Sequence, residues 1–351
     1  MKNLLYISLI LSALFISCSG SFPKVSEEDI SVNIDDKSRP NFVTLSNNVT
    51  IDGKFDDIKW QLPSGEIIDS LKSFTTYLPQ KGDYKVLIHF TKGNKKTVVT
   101  KKITIESDDP YYSKGEALVW NDEFDGNSLN ENWWFYETDI HVNDEWQVYT
   151  PGKNINISDG ILTITAKKEG EGQKYGDYTS GRLNTEGKKE FLYGRMEIRA
   201  KLPDGRGTWP AIWMLGKELR TIDWPACGEI DIMEHVGYDP KVINSALHTT
   251  SSWGATLNSG KTTIDTYDSE FHIYGLNWTT DKLDFYVDSP DNIFYTYNPI
   301  IKNKDTWPFD QPFFFILNFA VGGGWGGKEG VDDTIFPRNM YVDYVRVFQP
   351  K

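Results

Sequence analysis

Cysteine is almost absent from this chain. Only two occur in 351 residues, and the first, Cys18, lies in an N-terminal segment with the marks of an export signal, leaving Cys227 alone in the body of the protein. An intramolecular disulfide is excluded, so stability must come from packing. No pattern pairs Cys227 with a general base, so it reads as a small buried hydrophobe although it stands two residues before Glu229. Cationic residues are also in deficit, 37 Lys and Arg against 50 Asp and Glu, for a formal net charge of -13. Such a surface gains nothing from counterion release, which argues against nucleic acid and against an anionic lipid surface as ligands. Helical periodicity is nearly missing. The one extended apolar run, Leu4 to Ile16, is shorter than the ~20 residues a spanning helix needs.

Aromatic residues, by contrast, are plentiful. They make up 14% of the chain and include 12 Trp, more than a core alone asks for. Indole faces are natural platforms for sugar rings, and a neutral polysaccharide fits the charge balance.

Lys2, the apolar run and the small residues around Cys18 read as an export signal. The segment Phe15-Ile16-Ser17-Cys18 resembles a bacterial lipobox, with Phe15 in place of the usual aliphatic residue. This implies a signal peptide over 1–17, lipidation of Cys18 and anchoring to the bacterial outer membrane, on its surface or periplasmic face. Cleavage nearby and free secretion is the alternative. Residues 18–39 are polar and read as a tether. From 40 to 106, short alternating runs such as Tyr84-Lys85-Val86-Leu87-Ile88-His89-Phe90 predict a small β-sandwich that resembles a PKD-like or immunoglobulin-like module. Either a spacer or a glycan-binding role suits it. Ser107-Asp108-Asp109-Pro110 opens a linker over 107–114. From 115 to 351 the chain is again strand and turn, which predicts an all-β fold with one large jelly-roll β-sandwich.

The decisive segment is Gly228-Glu229-Ile230-Asp231-Ile232-Met233-Glu234-His235. Along a regular strand Glu229 and Asp231 share a face, while Ile230 and Ile232 point to the core. Strict alternation would then bury Glu234 without a partner, at a cost of several kcal/mol. A β-bulge near Ile232 and Met233 returns Glu234 to the face of Glu229. On a flat strand the two Cα atoms would stand ~13 Å apart, a gap that long side chains on a concave strand can close. Retaining glycoside hydrolysis needs two carboxyl groups ~5 to 5.5 Å apart. Asp231 between them can hydrogen-bond a neighbour and help keep a proton on the cluster. A solvated acidic strand face is the alternative for the bare string. His235 should point away from the acids and is read as structural.

Gly228 to Gly237 resembles the active-site strand of glycoside hydrolase family 16 in its bulged, laminarinase-like form. The resemblance runs in order from Val119-Trp120-Asn121-Asp122-Glu123-Phe124-Asp125 through Trp209-Pro210-Ala211-Ile212-Trp213-Met214 to Val342-Asp343-Tyr344-Val345-Arg346-Val347. It implies Glu229 as nucleophile, Glu234 as acid/base and Asp231 as helper, with retained configuration and no cofactor for catalysis. It further implies Asn143, Arg182, Trp209, Trp213 and Trp224 as sugar contacts, with core placement the alternative for Trp209 and Trp213. His248 is read either as lining the cleft or as structural. A structural calcium on the convex face, held by Glu123, the backbone of Gly160 and Asp343, is implied as well; an ordinary surface carboxylate pair is the alternative.

The segment Asn143 to Thr150 departs from the usual laminarinase form at Asp144, Trp146 and Val148, near the non-reducing side of the cleft in relatives. An endo-acting hydrolase of β-1,3-glucan or mixed-linkage glucan leads. An endo-β-1,4-galactosidase on poly-N-acetyllactosamine or another β-galactan is the alternative that this segment motivates. A non-catalytic glycan-binding surface protein is a third reading, disfavoured by the intact acids. A monomer is expected.

Overall fold

A computed structural model describes residues 22–34, 41–48, 55–69 and 72–351; the export segment and Cys18 lie outside them. The described chain is built almost wholly from strands, in two sandwiches. In the first, Ile30–Ile34, Phe42–Asn47 and Ser73–Tyr77 form one sheet. It packs on a second of Ile67–Asp69, Asp57–Gln61, Gly82–Lys92 and Lys95–Ile105. Trp60, Phe74, Ile88 and Phe90 are sealed between them, with the Trp60 and Phe74 rings edge to face at 5.1 Å.

Ile30–Ile34 corrects the tether reading of 18–39. This strand pairs antiparallel with Phe42–Asn47, Ile30 opposite Asn47, and Ile30 is buried. Ile30, Val32 and Ile34 alternate with Ser31 and Asn33, a period-2 pattern concealed by the polar residues around it. The linker is ordered too. Asp109 caps the short turn Pro110–Ser113 by accepting the Tyr111 and Tyr112 N–H groups, while its own N–H donates to the Pro79 carbonyl.

The large sandwich has an inner and an outer sheet. The outer one runs Gln147–Tyr149, Tyr178–Ser180, Ile161–Lys168, Arg338–Pro350, Gly194–Lys201, His272–Trp278, Leu283–Val287 and Ile293–Tyr297, with Glu116–Asp122 and Ile155–Ser158 alongside. The inner one runs Ser259–Thr263, Val242–His248, Glu229–Glu234, Thr208–Gly216, Phe313–Val321, Arg182–Asn184 and Phe135–Tyr136. Met196, Ile198, Val345 and Val347 of the outer sheet and Ile212, Met214, Ile230 and Leu317 of the inner one close the core between the sheets.

The first sandwich packs on the outer sheet. The Thr75 N–H donates to Asp125 Oδ2 at 2.5 Å. The Arg346 guanidinium lies between the rings of Phe42 and Tyr344, 3.3 and 3.4 Å from their centroids. The inner sheet's exposed face is left open.

Candidate active site

The strand Glu229–Glu234 sits inside the inner sheet, paired on both edges. Along Val242–His248 the register runs Glu229 opposite His248 and Asp231 opposite Ala246, then resumes with Glu234 opposite Asn244. Ile232 and Met233 thus face Ser245 alone, which is a β-bulge. Ser245 Oγ donates to the Ile232 carbonyl at 2.7 Å and satisfies the group that the bulge displaces. Ile232 and Met233 are buried in the core, and Glu234 emerges on the face of Glu229 and Asp231. Gly228 admits the strand: at φ +80° a Cβ there would meet Pro308 Cγ at 2.8 Å and the Phe313 ring at 3.0 Å.

Each outer acid accepts an indole N–H. Trp209 Nε1 donates to Glu234 Oε1 at 3.0 Å, and Trp224 Nε1 to Glu229 Oε2 at 2.6 Å. His248 Nε2 approaches Asp231 Oδ2 at 3.1 Å and Glu229 Oε1 at 3.7 Å, so this histidine belongs to the cleft. His235 is turned away, buried, with Nδ1 on the Val242 carbonyl. Cys227 is buried and its thiol is pushed up to about 12 by burial, as an inert thiol should be.

No arginine or lysine pairs with these three acids among the described residues. Burial pushes Glu229 and Asp231 well up from the usual carboxylate range, reinforced for Glu229 by the Asp231 charge and for Asp231 by the Glu234 charge. Carboxylate oxygens of Glu229 and Asp231 lie within 4.8 Å of each other, so one proton held on the pair relieves their repulsion. Glu234 is pushed up to about 7, by burial first and the Glu229 charge next, against the Trp209 indole that favours its ionised form. A carboxyl group near 7 can both give and take a proton at neutral pH.

Trp209 and Trp213 share the open face of Thr208–Gly216, while Ile212 and Met214 point to the core. Trp213 Nε1 donates to Asn318 Oδ1 at 2.7 Å, and the Arg182 guanidinium lies 4.8 Å from the Trp213 ring. Arg182 is held by Glu137 at 2.6 Å. Asn143, in the left-handed region at φ 55°, donates to Glu145 Oε1 at 3.1 Å.

Glu145 was not foreseen. It is buried and also accepts from Gln147 Nε2 at 2.6 Å and Tyr149 OH at 3.3 Å; Tyr149 OH in turn accepts from Asn318 Nδ2 at 3.1 Å. A hydrogen-bonded chain therefore links Asn143 to Trp213 through Glu145, Tyr149 and Asn318. The signal was present as polar Glu145, Gln147 and Tyr149 in strict alternation. The same alternation sets Trp146 and Val148, two of the departures from the laminarinase pattern, apart from this network. Trp146 and Val148 occupy the other face, and Trp146 packs against Gly322, where a Cβ would come within 2.7 Å of the indole. Trp146 and Val148 are half-buried and Asp144 is exposed.

The calcium ligands require a correction. Glu123 is chelated by Arg346 through Nε and Nη2, both at 2.8 Å, and the Asp343 carboxylate is bound by Arg199. Gly160 does lie beside the Glu123 carbonyl and Asp125, but Asp125 is taken by Thr75. Carboxylates committed to guanidinium groups do not fit a calcium site. Among the described residues, the group of three His, Cys, Asp or Glu side chains that could share a metal is Glu229, Asp231 and His248, with ligand atoms within 4.8 Å of one another. These are the cleft acids themselves.

Residues 142–346 match the family model for glycosyl hydrolases family 16. A beta-glucanase of Rhodothermus marinus is 44% identical over 247 residues, spanning 66% of this chain and 85% of that protein. The crystal structure of a laminarinase from Flavobacterium sp. UMI-01 superposes with a TM-score of 0.62 at 48% identity, covering 66% of this chain and 100% of that one. The laminarinase of Rhodothermus marinus superposes with a TM-score of 0.63 at 42% identity, covering 67% and 98%. This chain belongs to glycosyl hydrolases family 16.

Proposed function

We propose that the protein is a retaining endo-β-glucanase that cuts internal β-1,3 bonds of laminarin-like or mixed-linkage glucans. The bulge that sets Glu229 and Glu234 on one open face, each steadied by an indole N–H, supports this reading most directly. Glu229, ionised, attacks the anomeric carbon while Glu234 delivers its proton to the departing glycosidic oxygen. The bond to the leaving sugar breaks as the bond to Glu229 forms. Glu234, now a carboxylate, takes a proton from water, whose oxygen displaces Glu229 from the same face that the leaving sugar vacated. Two inversions retain the configuration. Burial alone would keep a proton on Glu229; the Trp224 N–H and His248 favour its carboxylate instead, and Asp231 takes up the proton of the pair.

The laminarinases and the beta-glucanase among the relatives support a glucan substrate. Product analysis decides: the wild type should release laminari-oligosaccharides from laminarin while Glu229→Ala releases none. Fragments only from a poly-N-acetyllactosamine glycan would move the enzyme to β-1,4-galactosyl bonds. We further propose that the chain acts as a monomer, exported and lipid-anchored through Cys18 to the outer membrane. Labelling with a fatty-acid analogue should mark the wild type and not Cys18→Ala; equal labelling would refute the anchor.

A further inference from the structure

Trp253 has no assigned role, and its setting is unusual. It is 58% exposed and lies beside a second exposed indole, Trp224. It lies on the connection between Val242–His248 and Ser259–Thr263, at the end of the inner sheet opposite Arg182 and Asn143. Its ring centroid is 5.7 Å from that of Trp224, and the planes meet at 76°. Trp224 is itself 39% exposed and donates its N–H to the nucleophile Glu229. The supporting loop is tied down. Thr249 and Ser252 exchange backbone hydrogen bonds, Ser251 N–H donates to the Asp305 carbonyl, and Ser252 Oγ accepts from Leu257 N–H at 2.9 Å.

We propose that Trp253 is a specificity-determining residue, a fixed aromatic platform for a sugar on the reducing-end side of the cut, continuing the surface begun by Trp224. This rests on the glucanase reading. The family resemblance implies that the Asn143 segment lies toward the non-reducing part of the chain, and on that orientation the opposite end receives the leaving part. Two rings at a right angle form a corner. A flat β-1,4 ribbon cannot lay successive sugars on both walls, whereas a β-1,3 chain turns between residues and can. Because the loop is already braced, little ordering entropy is lost when a sugar docks.

The test compares wild type, Trp253→Ala and Trp253→Phe on two substrates. One is laminarin. The other is an aryl β-laminaribioside, which places sugars only on the non-reducing side and offers the aryl group as leaving group. Trp253→Ala should lower kcat/KM on laminarin about three- to tenfold, chiefly through KM, and leave the aryl glycoside rate and the pH profile unchanged. Trp253→Phe should recover part of the loss. An exposed side chain makes misfolding a poor explanation, and an unchanged melting temperature checks it. Equal kcat/KM for wild type and Trp253→Ala on laminarin overturns the platform, as does an equal loss on both substrates. A wild type inert on laminarin overturns the glucanase reading and the platform with it.

Discussion

Two groups of acids in the large sandwich are treated in opposite ways. On the outer sheet Glu123 is chelated by Arg346, Glu197 and Glu116 are bound by Arg195, and Asp343 by Arg199. On the inner sheet Glu229, Asp231 and Glu234 stand on one strand with two indoles and a histidine around them and no guanidinium. Burial is similar in kind, and the difference is in the partner. A guanidinium fixes a carboxylate in its ionised form and spends its lone pairs. An indole N–H leaves the carboxyl free to change protonation and to bond to carbon. The same residue type thus serves as a fastening on one face and as a reagent on the other, and the first sandwich covers only the fastened face.

The contrast can be broken by mutation. Glu229→Gln should cost on the order of 10⁴-fold or more in kcat while leaving the melting temperature at pH 7 unchanged or higher, because a like charge is removed from the cluster. Loss of both activity and fold would erase the distinction. Arg346→Met should do the reverse. It leaves Glu123 buried and unpaired and should cost about 3–5 kcal/mol in denaturant unfolding, with kcat on laminarin largely kept. A cost no greater than that of breaking the exposed Lys241–Asp265 pair would contradict it.

Proton linkage sharpens the same point. Glu234 binds its proton more tightly in the fold, at about 7 against a usual 4.5. Its stabilising contribution is therefore full below about 4.5 and is lost as pH rises through about 7. The melting temperature of Glu234→Gln should accordingly fall less between pH 5 and 8 than that of the wild type. An identical fall would mean that Glu234 titrates normally. In kinetics, Trp209→Phe removes the N–H that favours ionised Glu234, so the alkaline limb of kcat/KM should move to higher pH; a shift downward would contradict the assignment of that limb. The smallest effect expected is none. A chelator should leave the melting temperature unchanged, since Arg346 and Arg199 hold the carboxylates a calcium ion would need, and a drop reversed by added calcium would contradict that pairing.

Much of the inner face was legible in the sequence because burying Glu234 without a partner is costly enough to dictate a bulge. Period-2 patterning likewise placed Ile230 and Ile232 in the core and Trp209 and Trp213 together. What was not legible depends on meetings across the chain. Glu123 and Arg346 are 223 residues apart, and nothing local marks them as partners. Without that pairing Glu123 reads as a free carboxylate and hence as a calcium ligand. Glu137 holding Arg182, and Asn318 linking Trp213 to Tyr149, are of the same kind. Ile30–Ile34 was obscured by composition, since a short edge strand among polar residues carries too few apolar positions to stand out. The docking of the first sandwich on the outer sheet left no signal, because Phe42 and Thr75 look like ordinary strand residues.

The central claim is that Glu229 forms a covalent bond to the sugar while Glu234 handles the proton. A 2-deoxy-2-fluoro laminaribiosyl fluoride, whose sugar would be trapped on the nucleophile, followed by peptide mass mapping, tests it directly. The mechanism requires one added glycosyl group on the peptide that carries Glu229, absent in Glu229→Gln. Labelling of Glu234 or Asp231 instead, or no covalent adduct together with an inverted product, would contradict it.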